Sequence, residues 1–181
     1  SLDWFALQVR ARWEQSTAKI LSGKGYEILL PTYQSERRGS RRVRTVELPL
    51  FPSYVFCRFD VWKRLPILIT PGVVGIVSRG RVPLPVEQTE ITALQRLVLS
   101  GVQAEPWPYL AVGDRVRIQG TTLRGLEGIL VAFKGGHRVV VSVTLLRRSV
   151  ALEIDRFSVQ TAEPRPVRTM QAPSSDEVSD A

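Results

Sequence analysis

The residues that could perform covalent chemistry are few and lie far apart in the chain. There is one cysteine, Cys57, and one histidine, His137, so a single thiol–imidazole pair is the most that could be assembled. Cys57 lies in an apolar run that predicts a buried strand, and His137 follows Gly135-Gly136 at the start of a later one. Because these segments belong to different predicted domains, we interpret Cys57 as a core residue and His137 as a turn residue.

Motifs for phosphate and metal chemistry are also missing from the sequence. Gly120 and Gly125 are not followed by the Lys-Ser or Lys-Thr of a phosphate-binding loop, and no G-x-G-x-x-G motif follows a predicted strand. The acidic residues are scattered, and no group of His, Cys and carboxylates has the spacing of metal ligands. The sequence therefore predicts a protein that is not an enzyme and that needs no cofactor or metal.

The charge of the chain favours a polyanionic partner. The 181 residues carry a net charge of +8, and the basic excess lies in residues 1–161 because residues 162–181 contain four acidic and two basic side chains. Many nucleic-acid-binding proteins share this balance. No apolar run approaches the roughly 20 residues of a membrane span, and one cysteine excludes an internal disulfide framework. We therefore expect a protein of the reducing cytoplasm.

A dense group of arginines occupies residues 34–47. Five of them surround Gly39-Ser40, which predicts a basic hairpin or a flexible loop with its tip at that pair. Like charges so close together repel one another. The segment is therefore either a solvated loop or an arm that contacts phosphates, with Arg41, Arg42 and Arg44 as the candidate contacts.

Residues 49–57 form the apolar, aromatic run around which the first half of the chain is organised. Strict alternation puts Leu50, Pro52, Tyr54 and Phe56 on one face and Phe51, Ser53, Val55 and Cys57 on the other. Bulky apolar groups on both faces predict a central strand that is covered on both sides. Tyr54 and Phe56 are then either core residues under a helix or anchors for a partner.

The other elements of the first half alternate between strands and helices. Strands are predicted at residues 4–9, 26–30 and 73–77, and helices at residues 13–25, 60–68 and 87–99. This order predicts an α+β fold for residues 1–105, with an antiparallel sheet flanked by helices.

A proline-containing stretch at residues 103–108 is the predicted domain boundary. After it, alternating apolar strands separated by glycines predict a small SH3-like β-barrel over residues 106–161. Residues 162–181 are rich in Pro, Ser, Asp and Glu, and we interpret them as a disordered tail.

Several motifs resemble those of the NusG family of bacterial transcription elongation and antitermination factors. In the first domain these are Leu50-Phe51-Pro52-Ser53-Tyr54-Val55-Phe56 and Thr70-Pro71-Gly72-Val73. In the second domain, residues 112–118, 123–128 and 141–143 resemble a KOW motif. The resemblance covers residues 3–160. The basic insertion and Leu145-Leu146-Arg147-Arg148-Ser149 are closer to specialised paralogues of the RfaH and UpxY kind.

The resemblance implies a function for each domain. The first, NGN-like domain binds the clamp helices of the largest RNA polymerase subunit through an apolar face and suppresses pausing. The KOW domain recruits a second factor, commonly ribosomal protein S10 or the termination factor Rho. The resemblance implies a monomer in which the polymerase contacts are Gln8, Phe51, Tyr54, Phe56 and Leu97.

The resemblance also implies nucleic-acid and partner contacts. Arg10, Arg12 and Lys19 lie where specialised members approach the non-template DNA strand, and they are either phosphate contacts or solvated charges. Leu145, Leu146 and Arg148 match the loop and strand edge that relatives use for S10, unless one leucine turns inward to cap the barrel. A ribosome- or RNA-binding KOW protein is the alternative function.

Some specialised relatives cover the clamp-binding face with a second domain folded as a helical hairpin. Residues 106–161 are rich in Val, Ile and Gly with a period of two, which predicts strands instead. We therefore expect the second domain to stay a barrel and the protein not to be autoinhibited.

Overall fold

The computed structural model describes residues 2–38, 43–109, 113–120, 122–133, 136–155 and 158–162. The helices are α1 (Glu14–Gly23), α2 (Leu65–Leu68) and α3 (Gln88–Ser100). The strands are β1 (Asp3–Val9), β2 (Glu27–Leu29), β3 (Thr32–Arg38), β4 (Val43–Pro49), β5 (Tyr54–Phe59), β6 (Val73–Ile76), β7 (Ser78–Arg79), β8 (Val82–Pro83), β9 (Ala104–Trp107), β10 (Arg115–Ile118), β11 (Glu127–Phe133), β12 (Gly136–Val143), β13 (Arg148–Ile154) and β14 (Val159–Thr161).

The first half is built on an antiparallel sheet with the strand order β2-β5-β1-β6. Alternation along β1 sends Phe5, Leu7 and Val9 to one face, where they pack with residues of α1 and α2. Trp4 and Ala6 point to the opposite face and pack with residues of α3. The predicted α+β fold, an antiparallel sheet flanked by helices, is confirmed.

The start of the central strand differs from the prediction. β5 begins at Tyr54, and the preceding residues form a turn in which the Tyr54 N–H donates to the Phe51 carbonyl at 3.1 Å. Pro52 and Ser53 are its central residues, and Ser53 has a φ of +68°. These features match a type II turn. Leu50 lies on the α3 side with Phe56, as predicted, but Phe51 lies there too, so the strict alternation predicted over residues 49–57 is wrong for Phe51.

Replacing Ser53 with glycine is expected to raise the free energy of unfolding by about 0.5–1 kcal/mol, because only glycine adopts a left-handed φ without steric cost. The change keeps the backbone N–H, which donates to Oε1 of the buried Glu14 at 2.8 Å and ties the turn to α1. Urea denaturation of the full chain measures the effect. Ser53→Ala is the matched control, since its Cβ keeps the strain; an equal gain in both variants would contradict this explanation.

The helix predicted at residues 60–68 is divided in two. The Asp60 carboxylate accepts a hydrogen bond from the Trp62 N–H and caps a single 3-10 turn, Val61–Lys63. α2 then begins anew with Pro66 in its first turn, where proline is tolerated. The Lys24 ammonium donates to the Pro66 carbonyl and the Thr70 hydroxyl, which fixes this segment to the end of α1.

The arginine-rich segment forms the predicted hairpin. β3 and β4 pair from Thr32↔Pro49 to Arg38↔Val43 and make a two-stranded sheet of their own. Arg37 is opposite Arg44 in this register. The predicted tip, with Arg41 and Arg42, lies outside the described residues.

The second half is a six-stranded antiparallel sheet with the order β14-β10-β11-β12-β13-β9. Its strands confirm the prediction of a small β-domain instead of a helical hairpin. Among the described residues, β14 and β9 at the two ends of the sheet do not pair with each other, so the sheet is not seen to close into a barrel. The stretch predicted as a linker contributes β9, which crosses the predicted boundary between residues 105 and 106. Apart from Ala162, the predicted tail lies outside the described residues.

None of the helices described is both long and apolar enough to cross a bilayer.

Candidate functional site

Two of the five predicted polymerase contacts reach the surface, and they are neighbours. Gln8 near the end of β1 is directly opposite Tyr54 at the start of β5. Gln8 is exposed, whereas Tyr54 is half-buried and rests on the core that fills the α3 side of the sheet. Tyr54 therefore presents part of an aromatic ring on a rigid support, which is the usual setting of an interface hot spot.

The other three predicted contacts are core residues in this conformation. Phe51, Phe56 and Leu97 are exposed by only 1%, 0% and 3%. Phe51 and Phe56 meet edge to face with ring centroids 5.5 Å apart, and α3 covers them with Ile91 and Leu94. A partner cannot reach these rings while α3 is in place, so they correspond to the core alternative and support Tyr54 from below.

The end of α3 carries exposed apolar side chains that the sequence interpretation missed. Val98, Leu99 and Val102 are 48%, 86% and 36% exposed. Val98 and Val102 also line a small groove of about 140 Å³ together with Tyr33, Leu50 and Leu97. The sequence signal for this surface was Leu99, an apolar residue in the last turn of α3, close to Gly101, where the helix ends.

The predicted nucleic-acid contacts are exposed where they are described. Arg10 and Arg12 lie between β1 and α1, Lys19 lies on α1, and Arg44 lies on β4. Arg12 has a φ of 69°, and the Arg10 N–H donates to the Gly72 carbonyl at 2.9 Å, so this turn is held against the segment that precedes β6. The ion pairs between described residues do not involve these four side chains. Their charge is therefore available to a phosphate backbone.

The predicted partner surface of the second domain is a corner between β12 and β13. Thr144–Leu146 form a 3-10 turn, and Arg147 follows in a left-handed conformation with a φ of 49°. Leu146 turns inward and is 8% exposed, Leu145 is half-buried against the core, and Arg148 is exposed. The inward alternative thus describes Leu146, while Leu145 and Arg148 remain accessible in part.

This corner also contacts the first domain. Oε1 of Glu90 on α3 accepts hydrogen bonds from the Thr144 N–H at 3.0 Å and from the Thr144 hydroxyl at 2.7 Å. The contact lies in the N-terminal half of α3, and it leaves Gln8, Val98 and Leu99 exposed. The surface around Tyr54 is therefore not closed by this contact.

Cys57 and His137 do not form a reactive pair. Cys57 lies in β5 with no exposed surface, and burial raises the pKa of its thiol to about 12. His137 lies in the other sheet, within β12 and opposite Ile154, so its interpretation as a turn residue is wrong. β12 therefore begins one residue earlier than predicted, at Gly136, which pairs with Phe133.

Cys57 is expected to resist thiol reagents in the native protein. A thiol with a pKa of about 12 is almost entirely protonated at pH 8, and the thiolate is the reactive form. Labelling with Ellman's reagent should be negligible at pH 8 and complete in 6 M guanidinium chloride. Rapid labelling without denaturant would show that β5 opens readily.

The comparison of the sequence with protein families is decisive for the identity of the chain. Residues 2–95 match the model described as "Transcription termination factor nusG", which covers more than half of the 181 residues. The chain belongs to the NusG family. This family membership makes it a transcription elongation and termination factor in general, as the resemblance implied.

Individual NusG proteins agree with this assignment. The "Transcription termination/antitermination protein NusG" of Thermus thermophilus is 25% identical over 185 residues, covering 90% of this chain and 100% of the relative. The solved structure titled "Domain interaction in Thermotoga maritima NusG" has a TM-score of 0.56 and 22% identity, covering 90% of this chain and 98% of that one. The fold described above is therefore a NusG fold over nearly its whole length.

Proposed function

We propose that this NusG-family protein binds the clamp helices of RNA polymerase through the apolar surface around Gln8 and Tyr54, and that this binding suppresses pausing. The observation that supports the proposal best is the position of Tyr54, a partly exposed aromatic ring held on a fully packed core. The protein acts by binding alone, as a monomer in the bacterial cytoplasm, without making or breaking bonds.

The composition of the apolar surface fits a helical partner. Tyr33 and Tyr54 are half-buried against the same core, and Val98 and Leu99 at the end of α3 are exposed. A pair of helices can insert apolar side chains between such residues and remove them from water, which contributes about 25 cal/mol per Å² of buried apolar area. The rigid aromatic groups lose little conformational entropy in the process.

The basic residues extend the proposed interface to DNA. Arg10, Arg12 and Lys19 follow the end of β1, next to Gln8, and their exposed charges suit the phosphates of the non-template strand. Arg44 on β4, together with Arg41 and Arg42 shortly before it in the sequence, supplies a second group of basic contacts. Contacts of this kind weaken as the salt concentration rises.

The second sheet is the proposed recruitment module. Residues 1–105 and 106–161 act as two functional domains, and Leu145 and Arg148 at the β12–β13 corner contact ribosomal protein S10 or Rho, with Leu146 supporting them from the core. The long basic hairpin supports a specialised role of the RfaH or UpxY kind. A ribosome- or RNA-binding KOW protein is less well supported, since the family match covers the first domain.

In vitro transcription with bacterial RNA polymerase tests the proposal. The full chain should shorten the dwell time at a strong pause, and Tyr54→Ala should abolish this effect. Tyr26→Ala is the matched control, because Tyr26 is also half-buried but packs on the opposite face of the same sheet. Unchanged pausing with the wild-type chain, or equal loss in both variants, would refute the proposed role of this surface.

A further inference from the structure

The segment that joins the two domains is itself a strand. Only residues 101–103 separate the end of α3 from β9. β9 runs antiparallel to β13, from Leu152↔Ala104 to Ser149↔Trp107, and forms one margin of the second sheet. The outer edge of β13 is therefore occupied by the chain's own connecting segment.

Two arginines hold this segment through its aromatic side chains. The guanidinium carbon of Arg138 lies 5.1 Å from the ring centroid of Trp107, and Arg138 also forms an ion pair with Glu105. The guanidinium carbon of Arg147 lies 5.2 Å from the ring centroid of Tyr109. Cation–π contacts and ion pairs near the surface are weak individually, so this attachment is specific but reversible.

β9 has the features of a strand that can be removed without unfolding the sheet. It has four residues, whereas the ladder between β13 and β12 runs from His137↔Ile154 to Val143↔Arg148. Pro106 lacks an N–H and cannot donate to Val150, its partner in the ladder. Glu105 and Pro106 are exposed. Short edge elements of this kind open at a lower free energy than the core around them.

We propose that residues 104–109 form a releasable strap over the outer edge of β13, and that its release opens this edge to an extended segment of a partner polypeptide. The edge begins at Ser149, directly after Arg148, so it continues the partner-binding corner. A releasable strap would regulate the proposed recruitment of a second factor. It rests on that proposed function only for which protein supplies the partner segment.

The strap also indicates the chemistry of the incoming segment. Arg138 forms an ion pair with Glu105 and a cation–π contact with Trp107, which lies two residues further along the same strand. Alternate residues of a strand point to the same side. A partner strand with an acidic residue two positions before an aromatic one would satisfy Arg138 in the same way, while its backbone pairs with β13.

Three versions of the full chain test the strap. Trp107→Ala/Tyr109→Ala removes both aromatic contacts, and Glu105→Cys/Ala151→Cys places two thiols at directly opposed positions, where a disulfide can form. Cys57 has no exposed surface, so its thiol is not expected to compete in the oxidation. Trp62→Ala, which removes an exposed aromatic group from the first domain, is the control.

The probe is a synthetic peptide that copies residues 103–109. In the aromatic double variant, amide exchange should rise at least about tenfold at positions 104, 105, 107 and 109, the strap positions that carry an N–H, and in residues 148–152, and it should stay unchanged in residues 136–143. The peptide should bind this variant and protect residues 148–152. It should not bind the oxidised cysteine variant, and the control should behave as wild type.

Other outcomes would overturn the proposal. One is amide exchange in the aromatic double variant that is unchanged or that rises equally throughout the second sheet. Another is a peptide that does not bind the aromatic double variant, or that binds the oxidised cysteine variant equally well. Because neither polymerase nor a ribosomal protein takes part, a negative result here is distinct from failure of the proposed transcription function.

Discussion

Replacing Phe56 with alanine is expected to lower the free energy of unfolding of the first domain by about 3–5 kcal/mol, the usual cost of truncating a buried phenylalanine. Phe56 has no exposed surface and lies at the centre of the core between the sheet and α3. Its removal leaves a cavity beside Phe51 and takes away their edge-to-face contact. Urea denaturation of the full chain, followed by the exchange of α3 amides, measures the loss.

Phe56→Leu is the control for this prediction, because leucine refills much of the cavity and should restore most of the lost stability. The comparison decides between a core residue and an anchor. If Phe56→Ala kept the wild-type stability and lost only polymerase binding, the side chain would have to leave the core to meet the partner, and Phe56 would be an anchor and not a core residue.

Replacing Tyr54 with alanine is expected to weaken binding to a polymerase clamp-helix fragment about 30-fold, which corresponds to about 2 kcal/mol for a central aromatic contact. The stability cost should be smaller than for Phe56→Ala, since Tyr54 is half-buried at the start of β5. Isothermal titration calorimetry with the full chain measures the affinity, and the same denaturation assay measures the stability.

Two further variants separate contact from folding at this position. Tyr54→Phe keeps the ring and should bind within a few-fold of wild type if the aromatic face carries the contact. Tyr26→Ala removes an equally half-buried ring from the other face of the sheet and should leave the affinity unchanged. A loss in Tyr26→Ala as large as that in Tyr54→Ala would mean that both act through folding.

The periodicity of the sequence was sufficient to predict the sheet and the helices that flank it, because apolar side chains at a period of two or 3.6 must be buried on one side. It was not sufficient for Phe51. Strict alternation of side chains requires an extended backbone. Ser53 is not extended, because its φ is +68°, a value that serine rarely adopts. That single residue moves Phe51 to the face of Phe56.

The structure of the connecting segment could not be predicted from local pattern either. Pro106 and Pro108 indicate an irregular linker, but proline is tolerated in an edge strand. Whether such a segment pairs depends on a distant strand, here β13, and on Arg138 and Arg147, which receive its aromatic rings. The same applies to Leu146, whose inward direction is set by a 3-10 turn and the left-handed Arg147.

Polymerase is expected to bind at the surface around Gln8 and Tyr54. Hydrogen exchange of the full chain, with and without a clamp-helix fragment, tests it most directly. Binding at this surface should slow exchange at the adjoining ends of β1 and β5 and at the C-terminal turn of α3, near Val98 and Leu99. Protection confined to the face that carries Tyr26, or to the second sheet, or no protection at all, would contradict it.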